Sequence, residues 1–335
     1  MEQHALVEAL MKPETYDEDV QKIELVQTHI SFVFLAGDYV YKVKKPVNFG
    51  FLDFTSLAKR KLFCNREFEL NRRLAGDMYL EVVPINRSDN QIKIKGEGKT
   101  IEYAVKMRRI PEDTMMSGLI TRNQVDKVLM DELAKIIADF HVKAETGESI
   151  NKFGSLEIIK FNWDENFDQT RNFIGRTIDS NQFDVIHHKI QTFMKKNKPL
   201  FNTRIENSRI RDCHGDLHSG NIFVADRIYI FDCIEFNERF RYSDVTSDIA
   251  FLSMDLDFKN KRDLSKYFID QYIEYSQDRD LLMLLPFYKC YRAYVRGKVI
   301  GFKLDDPNVK ALEKEQAKNE AQAYFDLATE YANEL

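Results

Sequence analysis

Cys213-His214-Gly215-Asp216-Leu217-His218-Ser219-Gly220-Asn221, followed by Ile230-Phe231-Asp232, is the stretch around which the chain is organised. Asp216 and Asn221 stand five positions apart on what reads as a loop, and Asp232 closes an apolar run shortly afterwards. Asn221 to Phe231 reads as strand, polar turn and strand, a hairpin that brings Asn221 and Asp232 to one end. Phosphoryl transfer requires such a set of groups. A first carboxylate orients and deprotonates the acceptor hydroxyl, while an amide oxygen and a second carboxylate hold Mg²⁺ against the nucleotide phosphates. Taken singly, these residues are ordinary caps and turn formers. Their combined spacing carries the meaning.

The segment resembles the aminoglycoside phosphotransferase-like branch of the kinase-like superfamily, whose signature is His-Gly-Asp-(Leu)-His-x-x-Asn followed by an Ile-(Asp/Phe)-Asp strand end. The resemblance implies Asp216 as the catalytic carboxylate, Asn221 and Asp232 as metal ligands, and ATP and Mg²⁺ as cofactors. The sequel, Cys233-Ile234-Glu235-Phe236-Asn237 and Asp248-Ile249-Ala250-Phe251-Leu252, resembles a bacterial subgroup in which such a domain is often fused to a P-loop domain. The implied fold is α+β, bilobal and protein-kinase-like. Residues 1–110 form a β-rich nucleotide-binding lobe, and residues 111–335 a helical lobe with the catalytic loop and acceptor site. His214 supports the loop in this reading, and His218 is either a loop residue or a substrate contact.

Composition narrows the partners. The 335 residues carry a net charge of −5, so no global basic field favours nucleic acid or an anionic membrane. No apolar run is long enough to span a bilayer, and the first residues lack the basic-then-apolar pattern of a signal peptide. Cys64, Cys213, Cys233 and Cys290 are scattered without a Cys-x-x-Cys pair, which fits a reduced, cytoplasmic protein.

Upstream of the loop, Ile23–Val26, Phe32–Leu35 and Tyr39–Lys44 read as three strands, the start of a kinase small lobe. Val40, Lys42 and Lys44 share one face of the third strand. Lys42 is the candidate for the α/β-phosphates, because Val40 precedes it as in Val-Ala-Ile-Lys, whereas Lys42 itself precedes Lys44. A helix over 56–74 should supply the glutamate that pairs with it. Glu67 is selected by counting back from Leu74, and Glu69 stays open. No Gly-rich loop separates the first two strands. Gln27-Thr28-His29-Ile30-Ser31 stands there, so Thr28 and Ser31 are the phosphate-contact candidates.

Further strands are expected over 79–83, closed by Pro84, and as a pair over 91–95 and 101–107. Met107-Arg108-Arg109-Ile110-Pro111 resembles the hinge between lobes, with Met107 and Arg109 near the adenine edge. The remainder reads as helices. The first, 124–142, carries a buried stripe that includes Val128 and Phe140, and His141 packs at its end. Asp244 and Asp248 are expected to brace the loop; Glu235 and Asn237 stand where acceptor or metal contacts could occur, with a structural role favoured for each. The cluster Tyr288, Tyr291, Arg292, Tyr294 and Arg296 is either an anionic-acceptor site or a packed helix with snorkelling arginines. Asp255 and Asp257 point instead to a cationic acceptor. The function expected is ATP- and Mg²⁺-dependent transfer of a phosphoryl group to a hydroxyl of a small molecule. The alternatives are a nucleotide-binding regulatory module and a nucleotidyl transferase using the same site.

Overall fold

The computed structural model describes residues 2–335 apart from Asn90. The chain divides into two compact units, Met1–Leu119 with Gly220–Glu238, and Ile120–Ser219 with Arg239–Leu335. The hairpin that follows Asn221 thus goes with the N-terminal sheet.

The first unit opens with α1 (Glu2–Leu10) and then β1 (Ile23–Gln27), β2 (Ser31–Ala36) and β3 (Tyr39–Lys44). Next come α2 (Leu57–Ala75), β4 (Tyr79–Ser88), β5 (Gln91–Ile94), β6 (Lys99–Arg108) and α3 (Met116–Thr121). The six strands form one antiparallel sheet in the order β1-β2-β3-β6-β4-β5. Strand alternation sorts the two faces: Tyr41 and Val43 join a core with Leu6 and Leu10 of α1, while Val40 packs with Cys64 of α2. Ser56 caps α2 by accepting a hydrogen bond from Lys59 N, and Arg72 and Arg73 sit in its last turn, where cations suit the helix dipole.

Two strand expectations are corrected. The strand beginning at Tyr79 runs through Pro84 to Ser88, because Pro84 lies just before the first β5 partner pair, Ile85↔Ile94, where a missing N–H is tolerated. The segment over 91–95 does not pair with the one over 101–107. The ten-residue β6 inserts between β3 and β4, and four-residue β5 is left on the outer edge.

The second unit contains α4 (Lys127–Lys143), α5 (Glu148–Asn151), α6 (Leu156–Thr170), α7 (Ser180–Lys196) and α8 (Lys198–Glu206), then β7 (Ile210–Asp212). The chain returns to the first unit for the hairpin of β8 (Ile222–Val224) and β9 (Ile228–Ile230). It ends with α9 (Glu238–Arg241), β10 (Tyr242–Asp244), α10 (Val245–Phe258), α11 (Arg262–Ser276), α12 (Leu285–Gly301) and α13 (Ala311–Asn333). Val128, expected in the α4 stripe, is 75% exposed; the buried face is Met130, Leu133, Ala134, Ile137, Ala138 and Phe140. The helical core centres on Trp163, whose indole meets Phe167, Phe287 and Tyr294. No helix among the described residues is long and apolar enough to cross a membrane.

Candidate active site

In the sheet unit, three elements bring their charges together. Lys42 on β3 contacts Glu67 Oε1 on α2 at 2.8 Å and Asp232 Oδ1 at 2.6 Å. Burial alone would lower the Lys42 pKa, but Asp232 and Glu67 outweigh it and leave the ammonium well above its ordinary value. Burial likewise pushes Glu67 up, and Lys42 and Lys44 pull it down to about 2. Glu67, which meets Lys42, is fully enclosed, whereas Glu69 lies on the exposed face of α2.

The hairpin sets the Asp232 carboxylate. Ile222 pairs with Ile230, and Phe231 N donates to the Asn221 carbonyl at 3.0 Å, so Asn221 and Asp232 stand at one end, as the spacing implied. Asp232 adopts φ 62°, a left-handed conformation that aspartate tolerates better than most residues. Its side chain remains 43% exposed. An amide oxygen and a carboxylate are hard donors of the kind Mg²⁺ takes, so the residues present fit that ion.

The other nucleotide candidates behave differently. The Thr28 hydroxyl accepts from Ser31 N at 2.9 Å and from Ile30 N at 3.3 Å, which closes the β1–β2 turn on itself. Ser31 is fully buried. The turn therefore spends the Ile30 and Ser31 amides internally rather than presenting them to a phosphate. Met107 is buried in the sheet core, and the Arg109 amide donates to the Asp38 carbonyl at 2.8 Å. The Arg109 side chain lies 3.6 Å from Glu24.

In the helical unit, the loop over 213–219 is fixed through its backbone. Asp248 on α10 accepts from His214 N at 2.9 Å and Gly215 N at 2.8 Å. Arg292 on α12 donates to the Gly215 carbonyl at 2.9 Å, and Asp255 accepts from Ser219 N at 2.9 Å. Gly215 itself has φ 85°, a conformation open to glycine at no steric cost. His214 Nδ1 accepts from Asp216 N at 3.3 Å, the loop support expected of it. His141 meets Asp248 at 3.2 Å and the Tyr272 hydroxyl at 2.8 Å, so the buried group of His141, Cys213 and Asp248 braces the loop.

Asp216 is left with a partly exposed carboxylate, 3.4 Å from His218 Nε2. Burial pushes its pKa up, and His218, Arg296 and His214 outweigh that effect and hold it below the ordinary carboxylate range. His218 also packs against the Phe251 ring.

Several expectations change role. Asp248 braces the loop, but Asp244 caps α10 through Thr246 N and pairs with the buried Arg204 at 2.7 Å. The aromatic–basic cluster on α12 is mainly packing: Tyr288 and Tyr294 are buried, and Arg292 serves the loop. Asp255 and Asp257 are neutralised internally, by Lys259 at 2.5 Å and Lys289 at 2.6 Å, and so offer no open cation site. Glu235 is buried and paired with Lys44, and the Asn237 amide donates to the Phe51 carbonyl. Asn71, which accepts from Cys233 N at 2.8 Å, carried no sequence signal.

The Asp248 bonds give a pH-dependent prediction. Burial raises its pKa, and His141, His214 and Arg292 outweigh that effect and lower it to about 2. A depressed folded-state pKa contributes stability above the unfolded value and loses it as pH falls through the folded one. Asp248→Asn should therefore cost about 2 kcal/mol at pH 7. In chemical denaturation that gap should narrow as pH falls from about 4 toward about 2. A gap independent of pH would contradict the assignment.

A six-stranded antiparallel sheet backed by one long helix, with a helical unit bearing the His-Gly-Asp loop, defines a protein-kinase-like phosphotransferase fold. A choline/ethanolamine kinase family protein from Mesorhizobium loti shares it, with a TM-score of 0.56, 13% identity, and coverage of 100% of this chain and 99% of that one. The chain belongs to the phosphotransferase enzyme family, whose sequence pattern matches residues 60–285. Uncharacterized proteins of Mycobacterium tuberculosis and Mycobacterium bovis are each 34% identical over 278 residues, 83% of this chain. The chain spans about half the length of these curated relatives, 54%.

Proposed function

We propose that the chain transfers the γ-phosphoryl group of ATP to a hydroxyl of a small molecule, with Mg²⁺. The observation that carries this reading is Lys42 held between Glu67 and Asp232, beside Asn221 at the end of one hairpin. The sheet unit takes the nucleotide and the helical unit the acceptor. Bound Mg²⁺ would neutralise phosphate charge and orient the oxygens for in-line displacement. Asn221 and Asp232 would hold it, and Lys42 places its ammonium on the α/β-phosphates while Glu67 keeps Lys42 in place. Asp216, held ionised, accepts a hydrogen bond from the acceptor hydroxyl and takes its proton. The acceptor oxygen forms its bond to phosphorus as the bond to the β–γ bridging oxygen breaks, and ADP leaves with that electron pair.

The self-closed Thr28 turn favours a second reading, a nucleotide-binding module with little turnover. Incubation with a metabolite panel and ATP labelled at the γ- or α-phosphate separates the readings. Transfer of γ-label to a metabolite is expected. Transfer of α-label indicates a nucleotidyl transferase, and binding without transfer the module.

A further inference from the structure

Strand β3 carries a second lysine, and it is the more deeply buried of the two. Lys44 is 1% exposed, and its ammonium contacts Glu67 Oε2 at 2.6 Å and Glu235 Oε1. Glu67 therefore gives one carboxylate oxygen to each lysine, Oε1 to Lys42 and Oε2 to Lys44. Glu235 stands three residues beyond Asp232, so one short segment joins the proposed metal ligand to this buried pair. The same segment is tied to α2, because Cys233 N donates to Asn71 Oδ1 and Asn71 Nδ2 donates to the Glu67 carbonyl, both at 2.8 Å. Phe236 follows and packs on Phe51 and Phe54, and the Lys44 ammonium lies 4.9 Å from the centre of the Phe54 ring.

A buried ammonium is tolerated where carboxylates compensate it, and Lys44 has two. Its charge is spent inside the unit, on Glu67 and Glu235. The four groups Lys42, Lys44, Glu67 and Glu235 balance to zero, and Asp232 supplies the remaining, partly exposed negative charge. We propose that Lys44 and Glu235 are positioning residues, a buried ion pair that ties β3 and α2 to the Asp232 turn and fixes the carboxylate that takes Mg²⁺. The proposal rests on Asp232 being a metal ligand, as in the function proposed above. Lys44 also holds the second carboxylate oxygen of Glu67, which keeps Glu67 in place for Lys42 when Lys42 turns from Asp232 to a nucleotide.

Lys44→Met alone would leave the buried Glu235 without a counter-ion, with Glu67 keeping only Lys42, and is expected to fold poorly. The charge-balanced pair Lys44→Met with Glu235→Gln avoids this, and Glu235→Gln alone keeps a hydrogen-bonding side chain. ADP binding to the full chain is measured by calorimetry over a series of Mg²⁺ concentrations, with the melting temperature of each variant as a check on folding. The double variant should need about tenfold more Mg²⁺ to reach half of the metal-dependent tightening, the usual consequence of removing support for a metal ligand. Without Mg²⁺ its ADP affinity should stay within about twofold of wild type, and Glu235→Gln should fall between the two. Amide exchange at Cys233 should be faster in the ligand-free double variant. A folded double variant with wild-type Mg²⁺ dependence overturns the positioning role alone. Equal loss of ADP affinity with and without Mg²⁺ overturns it too, by making Lys44 a nucleotide contact. Wild-type protein whose ADP binding ignores Mg²⁺ overturns the functional reading itself, and the positioning role with it.

Discussion

Asp216→Asn should lower the rate of phosphoryl transfer by about 10³-fold, while nucleotide affinity stays within about twofold. The substitution preserves shape and removes the site that takes the hydroxyl proton. The bonds that fix the loop run through the His214, Gly215 and Ser219 amides to Asp248 and Asp255, and from Arg292 to the Gly215 carbonyl. The loop should therefore survive the change, and the loss should appear in single-turnover rate and not in melting temperature. His218 and Arg296 hold Asp216 below the ordinary carboxylate range, so its protonation should limit the wild-type rate only at acidic pH, below about 4. A parallel loss of nucleotide affinity would remove Asp216 from the role of acceptor base.

The parts of this site visible in the sequence are those fixed by local chemistry. The hairpin between Asn221 and Asp232 was readable because two apolar runs flank a polar turn, and its register then places both residues at one end. Strand alternation put Lys42 and Lys44 on one face but could not rank their burial, since that depends on what α2 and the segment after Asp232 bring against them. The partner of Lys44, Glu235, lies 191 residues away, and Asn71 is 162 residues from Cys233. Neither contact leaves a periodic trace. The same holds for charge: Asp255 has Lys259 one helical turn away, a spacing that is readable, whereas the Lys289 that neutralises Asp257 comes from another helix. The edge position of β5 escaped for a related reason, because neighbouring segments in sequence usually pair, and here β6 pairs with β3 and β4 instead.

Asp232→Ala should produce effects of opposite kind on nucleotide binding with and without metal. With Mg²⁺ present, affinity for ADP should fall by about 10²-fold, because Asn221 alone offers one neutral oxygen to the ion. Without Mg²⁺ the sign is set by Lys42. In the ligand-free protein its ammonium pairs with Asp232 at 2.6 Å as well as with Glu67 at 2.8 Å. A nucleotide phosphate must compete with the Asp232 carboxylate for that charge, and removing the carboxylate ends the competition. Metal-free ADP should therefore bind the variant as tightly as wild type or more tightly. Calorimetry at zero and saturating Mg²⁺ measures both quantities on one preparation. The lost pair is part-exposed on the Asp232 side, so its contribution to stability should be small, within about 1 kcal/mol. A variant that loses metal-free affinity to the same degree would mean that Asp232 shapes the nucleotide pocket and is not a ligand for the ion. Unchanged affinity in both conditions would take the metal away from this hairpin altogether, and the phosphotransferase chemistry would need another centre.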